Sequence, residues 1–452
     1  MNVGRQADWS ALLGAFWLAG LMAIHPLPHT GALRSLLILI ALVHLGVLFW
    51  RRPIPALPKP GIEGGLVVLL TGWLIVQAAL FARGPAIVAL AELGREWGKL
   101  LGMAAVGICL AAFTAGGRPQ GRDEGRLATG LFLGFFVHVP LTLAYHGWQW
   151  WRTGQLPVGE SLLGNYGYVS LLVNAALAFL LADAAGRFGR DNQVGRLLPW
   201  SNCGTALAIA ATLAATALLT SKAGLIMTHL LAWAFLAAVL RQGTRHRLAV
   251  VLAVIVGLGL ATLASVLVEN RWAGAVGAIA SGVATAETPA SPALATAPIP
   301  TIQSPIQRID GKDPSFYFRS SWASMGVQGI TRHPLGIGYG ADAFGRYLAA
   351  QYGVTGFVSS HNGWIDFTLA NGIPALLLFL ALAGALMWRG WLAFRGGNAV
   401  GLALSLATLN YVGRCAMDGY LSGSRLTGFA IMAGVLWGLS TSSGSRHGPV
   451  PA

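Results

Sequence analysis

Acid–base chemistry has one well-placed candidate in this sequence, the segment Ser359-Ser360-His361-Asn362-Gly363-Trp364. It ends a polar, aromatic stretch and leads into an apolar run, so His361 falls near a helix N-terminus. The positive end of a helix dipole disfavours imidazolium, which leaves the ring neutral and able to accept a proton. Asn362 is suited to cap the helix or to orient a hydroxyl. On position alone, His361 reads equally well as an interfacial histidine that only caps a span.

Cations are in excess around it, with 30 Lys plus Arg against 16 acidic residues. Arg319 lies on a predicted amphipathic helix, and Lys222 at a predicted break between apolar runs. Arg152 follows the aromatic run Trp148-Gln149-Trp150-Trp151, and Arg414 and Arg425 flank a turn near the C-terminus. A cation at membrane depth is costly unless paired or functional. As a group these residues could clamp a diphosphate, with arginine offering bidentate contacts. Singly, each also reads as a snorkelling side chain or a topology signal. Gly164-Asn165-Tyr166-Gly167-Tyr168 precedes another apolar run. There Asn165 can bond a hydroxyl or a phosphate, or simply belong to a turn. Asn371-Gly372-Ile373-Pro374 reads as structural, with Pro374 starting a new helix. Phosphate-loop and HExxH motifs are absent, and Cys109, Cys203 and Cys415 show no metal-ligand spacing and read as buried small residues. Asp310, Asp313, Asp342 and Asp366 are scattered, so metal-free chemistry without a cofactor is the simpler expectation.

The elements that must position these groups are membrane helices. The 452 residues are 55% hydrophobic and 10% charged, whereas a soluble domain carries about 25% charged residues. The apolar residues come in blocks of about 17–23, the length that crosses a hydrocarbon core. Expected spans are 10–24, 33–50, 65–82, 98–115, 127–147, 168–185, 204–219, 222–240, 248–268, 373–394, 398–417 and 425–440. The fold class is therefore all-α, a polytopic membrane protein of about twelve spans. The seventh and eighth spans could also be one helix broken at Thr220-Ser221-Lys222. Basic residues cluster in alternate loops, at Arg51-Arg52, Arg118 to Arg126, Arg187 to Arg196, Arg241 to Arg247 and Arg389 to Arg395. That side should be cytoplasmic, with both termini. The chain then divides into residues 1–268 with spans 1–9, a periplasmic loop at 269–363, and residues 364–452 with spans 10–12 and a cytoplasmic tail. Within the loop, the Ala-, Thr-, Ser- and Pro-rich residues 273–305 should be mobile. Residues 306–363 should be mainly helical and site-bearing. Asp313-Pro314 starts one helix whose Phe318, Trp322 and Met325 form an apolar stripe, and Ala341 to Tyr352 forms another, closed by Gly353. The net charge of +14 suits anionic membrane lipids. It does not indicate nucleic acid, because the cations are dispersed.

His361-Asn362 followed by Leu369-Ala370-Asn371-Gly372-Ile373-Pro374-Ala375 resembles the O-antigen ligase family, whose superfamily includes O-antigen polymerases and protein O-oligosaccharyltransferases. Further matching pieces come in order: the Gly164-Asn165 turn, Ser221-Lys222-Ala223-Gly224, and Arg319 with Trp322 before His333-Pro334-Leu335-Gly336-Ile337-Gly338. The resemblance covers about residues 160–395. It implies a Gram-negative inner-membrane glycosyltransferase of lipopolysaccharide biosynthesis, metal-independent and inverting. The donor would be undecaprenyl-diphosphate-linked O-antigen and the acceptor lipid A–core oligosaccharide, at the periplasmic face. His361 would deprotonate or orient the acceptor hydroxyl, and Arg319 would hold the diphosphate. Lys222 stands where the family commonly has arginine, which keeps the charge and loses the bidentate geometry. The alternatives are a polymerase or protein O-oligosaccharyltransferase of the same superfamily. In a different class stands a transporter or flippase, which should show ionisable residues at the bilayer midplane and repeat symmetry. Little of either is evident.

Overall fold

The computed structural model describes all residues except 1–2, 53–54, 56, 83–84, 116–121, 158, 189–195, 243–246, 269–273, 288–313, 341, 420, 422 and 443–452. Among the described residues the regular structure is all helix. In chain order the helices are α1 (Val3–Ile24), α2 (Gly31–Arg51), α3 (Ile62–Leu80), α4 (Ala86–Ala115), α5 (Arg122–Phe136), α6 (His138–Thr153), α7 (Tyr166–Phe188) and α8 (Asn202–Leu218). They continue with α9 (Lys222–Gln242), α10 (Arg247–Val268), α11 (Ala275–Glu287), α12 (Pro314–Arg332), α13 (Ala343–Tyr352), α14 (Gly363–Arg395), α15 (Ala399–Cys415) and α16 (Gly423–Ser442).

Among the described residues, eight stretches are long and apolar enough to cross a membrane: α2, α3, Ala86–Thr114, Gly125–Thr153, Tyr166–Arg187, α9, α10 and α14. Shorter apolar helices lie at Trp9–Ile24 and Asn202–Leu218. Helix α7 is the centre of the bundle, buried along its apolar length, whereas α2 and α10 leave most of theirs exposed. In a bilayer those outer faces meet lipid, which is as apolar as they are, so exposure there costs nothing. The expected break at Thr220-Ser221-Lys222 is present. Thr220 has φ 48°, and the Ser221 hydroxyl accepts the Gly224 N–H at 3.1 Å to start α9.

Outside the long helices, α12 begins at Pro314 and α13 ends on Gly353 at φ 68°. Asp313 lies outside the described residues. The Phe318 and Trp322 stripe packs into a small core with Ile337, Phe344, Tyr347, Ile365 and Leu369, so it rests on α13 and the first turns of α14. Part of the stretch expected to be mobile is helical. Ala275–Glu287 is a helix lying along α12, and residues 288–305 are outside the described set. Its alanines and glycines leave little side chain between the two backbones, so close packing replaces hydrophobic bulk. Cys203 is exposed and Cys109 only partly covered, so of the three cysteines only Cys415 is buried.

Helix α14 is two helices joined at a kink. Gly372 has φ 81° and ψ 167°, a conformation essentially confined to glycine. Such a break frees backbone groups that an apolar environment cannot satisfy. The loop 333–338 and α3 supply the partners. Ile337 N–H donates to the Leu369 carbonyl at 2.8 Å, Ile373 N–H to Pro334 at 2.8 Å, and Trp73 Nε1 to Asn371 at 2.6 Å. Gln77 Nε2 donates to Leu335 at 2.6 Å and fixes the loop itself. We predict that Gly372→Ala lowers the thermal midpoint of the detergent-solubilised protein. Its strain alone is on the order of 1–3 kcal/mol, and its Cβ would stand 2.5 Å from the Leu335 backbone. Gly384→Ala, in the same helix with open space around it, should leave the midpoint unchanged or raise it. Equal midpoints for the two variants would refute this account of the break.

Candidate active site

His361 sits just outside α14, whose N-cap is Asn362. The Asn362 Oδ1 accepts the N–H groups of Trp364 at 3.1 Å and Ile365 at 3.2 Å. Asn362 is thus occupied with capping. The His361 ring is exposed on one side and stacks on Trp322 of α12 on the other, with centroids 5.4 Å apart and planes 25° from parallel. Its pKa is held below the usual imidazole value. Desolvation against the protein is the largest cause, and the Arg319 guanidinium follows. Asp418 and Asp366 oppose these effects, and Arg425 adds to the lowering. The neutral ring expected from the helix dipole is therefore favoured chiefly by packing and neighbouring cations.

One turn before Trp322 on the same helix, Arg319 donates from Nη1 to the Met417 carbonyl at 2.7 Å, and its Nη2 lies 3.4 Å from Asp418 Oδ1. The other Asp418 oxygen is 2.9 Å from Nη2 of Arg414, whose side chain is wholly buried. Arg414 Nη2 also donates to the Gly167 carbonyl at 2.7 Å, and Nη1 approaches the Ser170 and Ser221 hydroxyls at 3.5 Å. The Gly363 N–H donates to the Asp418 carbonyl at 3.1 Å and ties the start of α14 to the same turn. Two arginines therefore share one carboxylate beside a neutral-leaning histidine, an arrangement able to receive an anion next to a base.

The other predicted residues divide. Lys222 Nζ lies 3.8 Å from the centre of the Phe316 ring on α12, one turn before Arg319, so α9 brings that cation to the same helix. Asn165 Oδ1 accepts the Tyr168 N–H at 3.1 Å and caps α7. Its segment reaches the cluster through the Gly167 carbonyl rather than through the amide. Arg152 covers the Trp148 ring of its own helix at 4.9 Å, and none of its contacts reaches Arg319, Arg414 or His361. Sequence reasoning passes over Asp418. The available signal is the i,i+4 pair Arg414–Asp418 at the end of an apolar helix, since an intramembrane cation needs a nearby counter-charge.

Beside the cluster, His25, Tyr168 and Arg425 border a cavity running into apolar residues of α1, α5, α7, α15 and α16. The Arg425 guanidinium lies over the Tyr168 ring at 5.1 Å, and Tyr168 hydrogen-bonds His25.

Removing Asp418 would take from the buried Arg414 guanidinium the carboxylate it pairs with at 2.9 Å. We expect Asp418→Ala to destabilise the protein by roughly 3 kcal/mol, in line with breaking a buried ion pair. Arg414→Met introduced into Asp418→Ala should recover part of that loss, because an uncompensated charge is worse than none. A double variant whose thermal midpoint in detergent falls below that of Asp418→Ala would contradict the ion-pair account.

Residues 206–380 match the family profile described as O-antigen ligase. The matched stretch runs from α8 into α14 and holds Lys222, Arg319 and His361, while Arg414 and Asp418 lie beyond it. No curated protein matches the chain. Residues 206–380 therefore form a region of the O-antigen ligase type, with Lys222, Arg319 and His361 inside it.

Proposed function

We propose that this protein transfers O-antigen polysaccharide from undecaprenyl diphosphate to a hydroxyl of lipid A–core oligosaccharide. The observation that carries the reading is the stacking of His361 on Trp322 beside the Arg319–Asp418–Arg414 group, within and next to the matched family region. A diphosphate is already a good leaving group, so the protein mainly has to position two substrates, neutralise phosphate charge and supply a base.

In this reading the acceptor hydroxyl attacks the anomeric carbon on the face opposite the diphosphate. The C–O bond to the leaving diphosphate breaks as the new glycosidic bond forms, and the configuration inverts. His361 takes the hydroxyl proton. Arg319 meets the charge that develops on the diphosphate, and Lys222 of α9, which lies against Phe316 one turn before Arg319, is the weaker partner. Asn362 and Asn165 hold the backbone that presents these groups, and Arg152 serves at a distance from them through membrane or glycan contacts. The protein would lie in the inner membrane of a Gram-negative cell with this site in the periplasm and both termini inside. The excess of cations in the alternate loops supports that orientation.

The test is transfer by purified protein from carrier-linked glycan to lipid A–core, in a chelator and without nucleotide. Product should form with the intact chain. His361→Ala should slow it by about 10²–10⁴-fold, and Arg319→Ala by about 10²–10³-fold. Undiminished transfer by His361→Ala would sink the mechanism, and no transfer by the intact protein would sink the ligase reading. A polymerase would instead lengthen the carrier-linked glycan when lipid A–core is omitted.

The pH profile follows from the direction of the His361 shift. A base works in its neutral form, so a pKa below the usual imidazole value keeps activity down to lower pH. Arg425→Met removes a nearby positive charge and should raise that pKa, which moves the acid limb of the rate profile to higher pH. An acid limb that stays in place or moves down would count against His361 as the titrating base.

A further inference from the structure

His361 has φ 56°, a left-handed conformation that is uncommon for a residue with a side chain. It persists only where the surroundings over-determine it. What surrounds it is a short hydrogen-bonded turn closed by a carboxylate. Asp366, one turn into α14, accepts the Ser360 N–H on Oδ1 at 2.8 Å. The Ser359 hydroxyl accepts the His361 N–H at 3.0 Å and hydrogen-bonds the Asp366 carboxylate. Ser360 Oγ accepts the Asn362 N–H at 3.1 Å. On its other side the carboxylate borders the turn that holds the arginines. A Cβ placed on Gly419 would stand 3.7 Å from Asp366 Oδ2 and 3.2 Å from Ser359 Oγ. Asp366 therefore joins the histidine turn to the Met417–Gly419 turn, and neither the scattered acidic residues of the sequence nor the family match singles it out.

We infer that Asp366 is a positioning residue for the proposed transfer: its carboxylate folds the Ser359–His361 turn, aims the imidazole, and faces it with negative charge. This rests on the reading of His361 as the base. The ring is faced by Arg319 from α12, Arg425 from α16, Asp418 from the turn after α15, and Asp366 from α14. Two cations and two anions compete, so withdrawing one anion leaves imidazolium less favoured. Misplacing a base by about 1 Å costs on the order of 10² in rate, so the backbone role should dominate over the charge.

The full-length protein in detergent or nanodiscs carries the test, as Asp366→Asn, Asp366→Ala and Ser359→Ala. Asn keeps an acceptor oxygen and drops the charge, whereas Ala drops both. One readout is steady-state glycan transfer. The other is modification of His361 by diethyl pyrocarbonate across pH, read by peptide mass spectrometry; it reports the neutral ring without any turnover. Asp366→Ala should lose about 10² in kcat with little change in KM for either substrate. Asp366→Asn should stay within about tenfold of the parent, with its acid limb and labelling midpoint moved to lower pH. Ser359→Ala should lower kcat with the midpoint unmoved. An unmoved or raised midpoint in Asp366→Asn, or Asp366→Ala working at the parent rate, would overturn the inference. Should Asp366→Ala fail to fold, Asp366→Asn and the labelling midpoint still decide. An intact protein that transfers no glycan fails the functional reading, and the midpoints test Asp366 regardless.

Discussion

A guanidinium with no exposed surface has to be paid for by its neighbours, and Arg414 determines how this end of the bundle is built. A buried cation without partners is far costlier than any single apolar contact is favourable. The partners include groups from α7, the start of α9 and the turn after α15. Gly167 and Ser170 belong to α7, Ser221 starts α9, and Asp418 follows α15. Through Asp418 the network reaches Arg319 on α12 and the first N–H of α14. Solvating one charge thus draws the elements bearing the histidine and the second arginine to a common point.

The break in α14 works with this constraint. The segment from Gly363 to Asn371 is anchored at its start by Asp418 and at its end by the loop 333–338 and α3. Both anchors satisfy backbone groups that have no water to turn to. Trp322 and Phe318 pack against the same segment from α12. The His361 turn therefore rests on a short helix fixed at both ends, the rigid support that the proposed acid–base role would need.

Much of this was legible in the sequence. Apolar blocks located the long helices, Pro314 and Gly353 bounded the two outer ones, and the break at Thr220-Ser221-Lys222 followed from local residue types. His361 and Arg319 stood out by placement and do come together. Asn165 and Arg152 did not converge in the same way, because an asparagine before a helix first satisfies that helix, and a cation beside tryptophans has a partner at home. Asp418 was hidden because its importance depends on Arg319, 99 residues away, as well as on nearby Arg414, and only tertiary structure creates the first pairing. The helix at Ala275–Glu287 was missed for a related reason. Small residues look unable to bury anything until a neighbouring helix comes close enough to need them.

The chain distances spanned by these contacts bear on when the protein becomes competent during synthesis. Trp73 meets Asn371 across 298 residues, and Arg414 meets Gly167 across 247. The early partners are inserted with their polar groups waiting for segments not yet translated. A nascent chain that has emerged only as far as α14 possesses His361 and Arg319 but not the turn that joins them. Contacts of such range form late and slowly, so the arrangement around His361 is incomplete until the final helical hairpin docks, and a chain without that hairpin presents the same membrane helices without the Asp418 turn.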